Sequence, residues 1–264
     1  MSFALDNLII DRIQYGLATD FSDRPLYVLT QLNEATITTS VESTDSVDAQ
    51  GTLIKRFYRG KSGEFRATNA MLNMSVIAAA SGEAKELATK DHQILMPKII
   101  EVKGNAKTVD LKDIDVNSID SVTVMGMGNN GSMTNAYKKG AVASATEYVI
   151  TSEGRITLPT PAQAEDKYLI KYYRLVSAGG KVTNSADKYP QTCRLTLKAL
   201  AVDPCSADTL RGVYIVIPSF QVSPELDLSL ATDAQIDYTG AMQVDYCSDE
   251  KALYYIAWAD EDEE

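Results

Sequence analysis

Polar and apolar residues alternate along much of the chain, the period-two pattern of strands with one buried face. Leu26-Tyr-Val-Leu29 and Ala35-Thr-Ile-Thr-Thr-Ser-Val41 are rich in β-branched residues and predict strands. Thr52 to Tyr58 and Glu64 to Ala67 flank Arg59-Gly-Lys-Ser-Gly63, whose two glycines suit a tight hairpin reversal. The Ser-, Thr- and Asp-rich residues 42 to 51 predict an exposed loop. The period changes at residues 70 to 80, where Met71, Leu72, Met74, Val76 and Ile77 with three alanines predict a short helix, capped by Asn69 and ended by Gly82. Glu83 to Thr89 suit one further turn.

Short strands with turn signals return at Lys98 to Val102, Ser121 to Met125, Glu147 to Ile150, Arg155 to Leu158 and Lys167 to Tyr173, the spacing of a sandwich or small barrel. The last third carries the strongest alternation. Leu226, Leu228 and Leu230 alternate with Glu225, Asp227 and Ser229, and Ile236-Asp-Tyr238 leads to Met242, Val244 and Tyr246 alternating with Gln243 and Asp245. Arg194 to Lys198, Val213 to Ile217 and Leu253 to Trp258 predict three more strands, two of them apolar on both faces and therefore central or interfacial. The expected architecture is mainly β, a sandwich or barrel with one short helix. Residues 1–98 and 176–264 form the principal domain, and 99–175 an inserted small β domain.

Composition narrows the function. The 264 residues are 45% hydrophobic, enough to bury a core and too apolar for a disordered chain. No apolar run reaches the roughly 18 residues of a membrane span, and Asp6, Asp11 and Arg12 interrupt the start where a signal peptide needs apolar residues, so no membrane insertion or export is expected. Cys193, Cys205 and Cys247 lack the paired spacing of a zinc site or disulfide framework and read as reduced thiols. The net charge of −11 is C-terminal: residues 202–264 carry 14 acidic and 2 basic side chains, and the chain ends in Asp260-Glu-Asp-Glu-Glu264. Such a surface repels phosphate backbones.

Candidate chemistry is sparse. The single histidine, His92, sits between Lys90-Asp91 and Gln93 with no nucleophile motif near it, and reads as a solvated turn residue. Gly126-Met-Gly-Asn-Asn-Gly131 matches the glycine spacing of a dinucleotide-binding turn, but polar, glycine-broken residues 132–140 follow it where an apolar-faced helix should start, so a loop tip is the better reading. Asp110, Asp113, Asp115 and Asp120 lack the glycine and terminal glutamate of an EF-hand loop. No catalytic residue, cofactor or metal is expected. Lys55, Arg56, Arg59, Lys61 and Arg66 cluster on the predicted hairpin, either as an edge protected from aggregation or as a contact to an acidic neighbour.

The N-terminal block, from Ala35-Thr-Ile-Thr-Thr-Ser-Val41 through Val47-Asp-Ala-Gln-Gly51, Leu53 to Phe57 and Glu64 to Ala67 into a helix, resembles the tail tube (major tail) proteins of tailed bacteriophages. Pro218 to Leu230, Gln235 to Tyr238 and Tyr254-Tyr-Ile256 are similar to their closing strands. The resemblance covers about two thirds of the chain and implies a virion subunit, made in the host cytoplasm. It implies homo-oligomeric rings, usually hexameric, that stack with other tail proteins into a tube through which viral DNA passes without specific binding. Asp227, Asp237 and Asp245 are then candidates for an acidic lumen, and Lys55, Arg56, Arg59, Lys61 and Arg66 for inter-subunit contacts. A decoration or baseplate component suits the same composition, and a nucleotide-binding enzyme rests only on Gly126 to Gly131.

Overall fold

The computed structural model describes residues 8–30, 32–69, 73–128, 130–203, 206–228, 235–246 and 250–262, with backbone alone at 203, 206–209 and 259–262. The chain forms two compact units, Met1–Lys85 with Val182–Glu264, and Glu86–Lys181. Strands β1 (Ile9–Thr19), β2 (Pro25–Thr30), β3 (Leu32–Val47) and β4 (Leu53–Asn69) lead to helix α1 (Met74–Ser81). The second unit holds β5 (Glu86–Ala88), β6 (Ile94–Lys103), β7 (Thr108–Asp110), β8 (Thr123–Met127), β9 (Met133–Lys139), β10 (Glu147–Ile150), β11 (Arg155–Thr157), β12 (Lys167–Val176) and β13 (Gly179–Lys181). The first unit resumes with β14 (Thr192–Asp203), β15 (Ser206–Val222), β16 (Ile236–Met242) and β17 (Tyr255–Asp262).

The first unit is an antiparallel sheet in the order β2-β1-β14-β15-β16-β4-β3, with β17 also paired to β15. Its inward residues, among them Leu29, Ala18, Leu195, Leu197, Ile217, Tyr238 and Phe65, form one core, so the sheet curls into a nearly closed barrel with Val76 and Ala80 of α1 packed against it. Tyr27, Phe65, Phe220 and Tyr238 pack ring against ring, with centroids 5.8 to 6.3 Å apart. The Tyr27 and Tyr238 hydroxyls lie 2.7 Å apart, and Cys193 Sγ is 3.8 Å from the Tyr27 hydroxyl. Gly16 leaves room for this packing, because a Cβ would lie 2.8 Å from Leu197 Cδ2 and displace that side chain.

The second unit is a sheet in the order β6-β12-β8-β9-β10-β11-β7 around its own core of Val124, Tyr148, Ile156, Tyr168, Ile170 and Tyr172. β9 and β10 pair parallel, the other neighbours antiparallel. A ribbon of β5 and β13 opens and closes the unit, with Glu86 opposite Lys181. The expected junctions at 98/99 and 175/176 fall inside the β6–β12 ladder, which runs from Ile94↔Val176 to Lys103↔Lys167.

Several expectations are corrected. The helix starts at Met74, and its cap is Asn73, whose side chain accepts from the Ser75 N–H. Asn69 instead ends β4, opposite Leu32 and Ile236, where it is buried. Gly82 does terminate the helix, with φ +68°. Glu86–Ala88 is strand rather than a further helical turn because it pairs with β13. The loop expected at 42–51 is strand as far as Val47, and the reversal sits at Asp48–Thr52, where Asp48 Oδ1 accepts from the Gln50 and Thr52 N–H groups. The reversal expected at Arg59–Gly63 is instead a bulge within β4: Val41 faces Lys61 and Glu42 faces Arg59, so Gly60, at φ +46°, is the extra residue. The leucine alternation at 226–230 is not strand at 226–228: Leu226 packs on the core, Leu228 is exposed, and Leu230 lies outside the described residues. β16 stops at Met242, which leaves Tyr246 exposed.

Candidate assembly surfaces

Beyond the barrel, β3 and β4 continue as a two-stranded arm in which every residue from Thr38 to Ser62 is exposed. Ten residues of strand extend about 30 Å. The alternation of faces, with the bulge at Gly60, puts Val41, Lys61, Tyr58, Arg56, Asp45 and Leu53 on one side and Arg59, Glu42, Phe57 and Lys55 on the other. Tyr58 is 72% and Ile54 67% exposed, values that belong to a surface awaiting a partner rather than to a finished one. A two-stranded ribbon with neither face covered is marginally stable on its own.

The five cations of this region are therefore split. Arg56 is held by Asp45 directly across the ladder through two hydrogen bonds of 2.7 and 2.9 Å, which lower the Asp45 pKa. Lys55 Nζ lies 5.1 Å from the Phe57 ring centroid. Arg59 and Lys61 project from opposite faces of the arm at the bulge. Arg66 lies on the outer face of the barrel, 3.0 Å from Asp237 Oδ2.

That ion pair joins one candidate contact residue to one candidate lumen residue. Asp227 is exposed after β15 and Asp245 half-buried after β16, so the three acids occupy separate local settings. β17 is an edge strand, its Tyr255, Ile256 and Trp258 each more than a third exposed. Leu26 and Val28 project from β2, which ends the main sheet path on the side away from β3. β2 at one end of the path and β17 branching from β15 thus both present exposed apolar residues, a feature that alternation alone did not reveal because it depends on strand order.

The remaining candidates are dispersed. His92 Nε2 is 3.2 Å from Glu86 Oε1 in an exposed bend between β5 and β6. Asp110 pairs with Arg155, Asp120 with Lys139, and Asp115 accepts from Ser118 and Asn117, each interaction lowering the acid's pKa. Asp113, at φ +58°, is a turn residue. Among the described residues no three His, Cys, Asp or Glu side chains converge on a metal position. Of the glycine motif, Gly126 and Met127 end β8, Asn129 lies outside the described residues, and the Gly128 N–H donates to Ser132 O at 2.8 Å; β9 follows, so there is no helix N-terminus to receive a phosphate. Cys193 is buried, its thiol pKa pushed up by desolvation. Cys205 and Cys247 lie outside the described residues.

A β scaffold whose conspicuous surfaces are an uncovered arm and apolar sheet edges is that of an assembly subunit. Residues 9–256 match the YomU/Tube protein family, a phage tail tube family, and the chain belongs to it. Among curated proteins the sequence finds no match. The family implies a structural role in the virion tail, and its proteins generally oligomerise. Among the described residues no helix is long and apolar enough to cross a membrane.

Proposed function

We propose that the protein, made in the host cytoplasm, assembles into closed rings, six subunits being the expected number, that stack with other tail proteins into the tube through which phage DNA passes. The observation that carries this reading is the β3–β4 arm, which exposes both faces and six large apolar side chains from Val41 to Tyr58. Its cost in exposed apolar area is offset once a neighbouring subunit covers it. β2 and β17 supply edges for lateral contact, and Lys55, Arg56, Arg59, Lys61 and Arg66 supply polar contacts around them.

Asp227, Asp237 and Asp245 are assigned to the lumen, where negative charge prevents phosphate capture and lets DNA slide. Asp237 fits this role only if Arg66 leaves a net acidic wall around it. Electron microscopy of the purified full-length chain tests the proposal: rings or hollow tubes are expected. A protein that stays monomeric at every concentration and salt condition tried would overturn it, and a tube with a basic inner wall would overturn the lumen assignment alone.

A further inference from the structure

Gly126, Met127 and Gly128, which the tube reading leaves without a role, wall a cavity of about 440 Å³ in the second unit, within the roughly 300–1,000 Å³ range of small-molecule sites. Its polar lining is Thr134, Asn135 and Tyr137 of β9, Thr160, Glu165 and Asp166 before β12, and Lys167 at the start of β12. We propose that this cavity binds a neutral saccharide of one or two rings, by hydrogen bonds to Thr134, Asn135, Glu165 and Asp166 and by contact with the Tyr137 ring.

The chemistry of the lining selects the ligand class. Carboxylates accept only, the Asn135 amide donates and accepts, and the hydroxyls do both, so the complementary molecule presents closely spaced groups that are donor and acceptor at once. A polyol does so. The two carboxylates outnumber the one cation, Lys167, whose Nζ lies 3.8 Å from Glu101 outside the lining, so a phosphate or nucleotide is opposed, and the density of polar groups opposes a purely apolar ligand. Glu165 is exposed and makes no ion pair among the described residues.

The cavity is also held open. A Cβ at Gly126 would lie 2.6 Å from Thr134 Oγ1 and 3.3 Å from the Tyr137 hydroxyl, so the glycine keeps these two groups on a clear wall. The carboxylate wall is fixed from behind, since Asp166 Oδ2 accepts from the Gln163 N–H at 2.7 Å and its carbonyl from the Gly104 N–H at 2.8 Å. Tyr137 packs on Tyr168 at 5.7 Å between centroids. Tyr168 is buried, its pKa pushed up to about 12 by desolvation, and so stays a neutral backing at physiological pH. Sites built on such strands lose little order on binding.

The test is saturation-transfer NMR on the full-length chain with glucose, galactose, N-acetylglucosamine and lactose, with spermidine and inorganic phosphate as cationic and anionic probes. At least one sugar should receive saturation. Its affinity should fall at least about tenfold in Asn135→Ala and in Gly126→Val, the scale of one lost hydrogen bond or a filled site. Glu165→Gln, at an exposed position, should weaken the sugar severalfold without unfolding the protein, and decides the matter if Gly126→Val misfolds. Silence from all four sugars, sugar binding unchanged by Glu165→Gln and Asn135→Ala, or binding of spermidine or phosphate in place of sugar would each overturn the proposal. Tube formation, scored in the same preparations, is an independent readout: its absence counts against the tube and not against this site.

Discussion

Replacing Tyr27 or Tyr238 by phenylalanine removes a single oxygen from the barrel core and leaves the ring packing in place. The two hydroxyls are 2.7 Å apart, and each residue is at most 9% exposed. Their surroundings differ. The Tyr27 hydroxyl also lies 3.8 Å from Cys193 Sγ, whereas the Tyr238 hydroxyl has the Tyr27 oxygen as its hydrogen-bond partner. In Tyr238→Phe the remaining hydroxyl keeps a weak sulfur partner, and the expected loss is about 1–2 kcal/mol. In Tyr27→Phe the hydroxyl left behind is Tyr238's, 1% exposed and orphaned, and the expected loss is about 2–3 kcal/mol. The double variant has no orphan and should cost only about the net value of one hydrogen bond, about 0.5–1.5 kcal/mol. Equilibrium urea unfolding measures all four proteins. The chain's single tryptophan, Trp258, lies in β17 of the first unit, so its fluorescence reports that unit. If the single losses simply add in the double variant, the hydroxyls do not act as a pair and the reasoning fails.

Three further outcomes follow from the same structure. Burial raises the pKa values of Tyr27, Tyr148, Tyr168, Tyr172 and Tyr238 above the usual value of 10.0. The unfolded chain therefore loses protons first, and stability, complete below pH 10, should fall as pH climbs from 10 towards 12; urea midpoints across that window check it, and the Tyr27/Tyr238 double phenylalanine variant should show a shallower fall. Gly82→Ala should destabilise the first unit by more than the roughly 1–2 kcal/mol of a left-handed alanine, because its Cβ would overlap the Tyr189 backbone; an unchanged melting temperature would contradict the observed cap. Ile54→Ser with Tyr58→Ser on the arm should change subunit stability by less than about 0.5 kcal/mol yet abolish tubes in micrographs, whereas tubes formed normally would remove the arm from the interface.

Strands whose alternation or β-branching was strong, such as Lys167 to Tyr173 and Arg194 to Lys198, were legible in the sequence because one face of each is buried. In the arm, Ala35 to Val41 and Thr52 to Tyr58 were legible as strand, but the extension of β3 to Val47 and the continuity of β4 through Arg59–Gly63 were not, since alternation is informative only where burial is one-sided and residues 38–62 are exposed on both faces. The same gap explains Gly60: two glycines flanked by strands fit a turn or a bulge equally well, and only pairing with β3 distinguishes them. Asn69 and Asn73 are both competent caps, and the pairing of Asn69 with Ile236, distant in sequence, selects the latter. At the candidate surfaces the charges could be counted from the sequence. Their separation onto two faces of the arm, and the Arg66–Asp237 pair, arise from register and strand order.

The ribbon formed by Glu86–Ala88 and Gly179–Lys181 makes the second unit a cassette. Glu86 and Lys181 are cross-strand partners, so the chain leaves the barrel and returns to it at points about 5 Å apart. A short turn from Lys85 to Val182 can span that gap, and another folded module with neighbouring termini can occupy it. Because the barrel's own core draws on neither strand of the ribbon, a change inside either unit leaves the other unit's core intact.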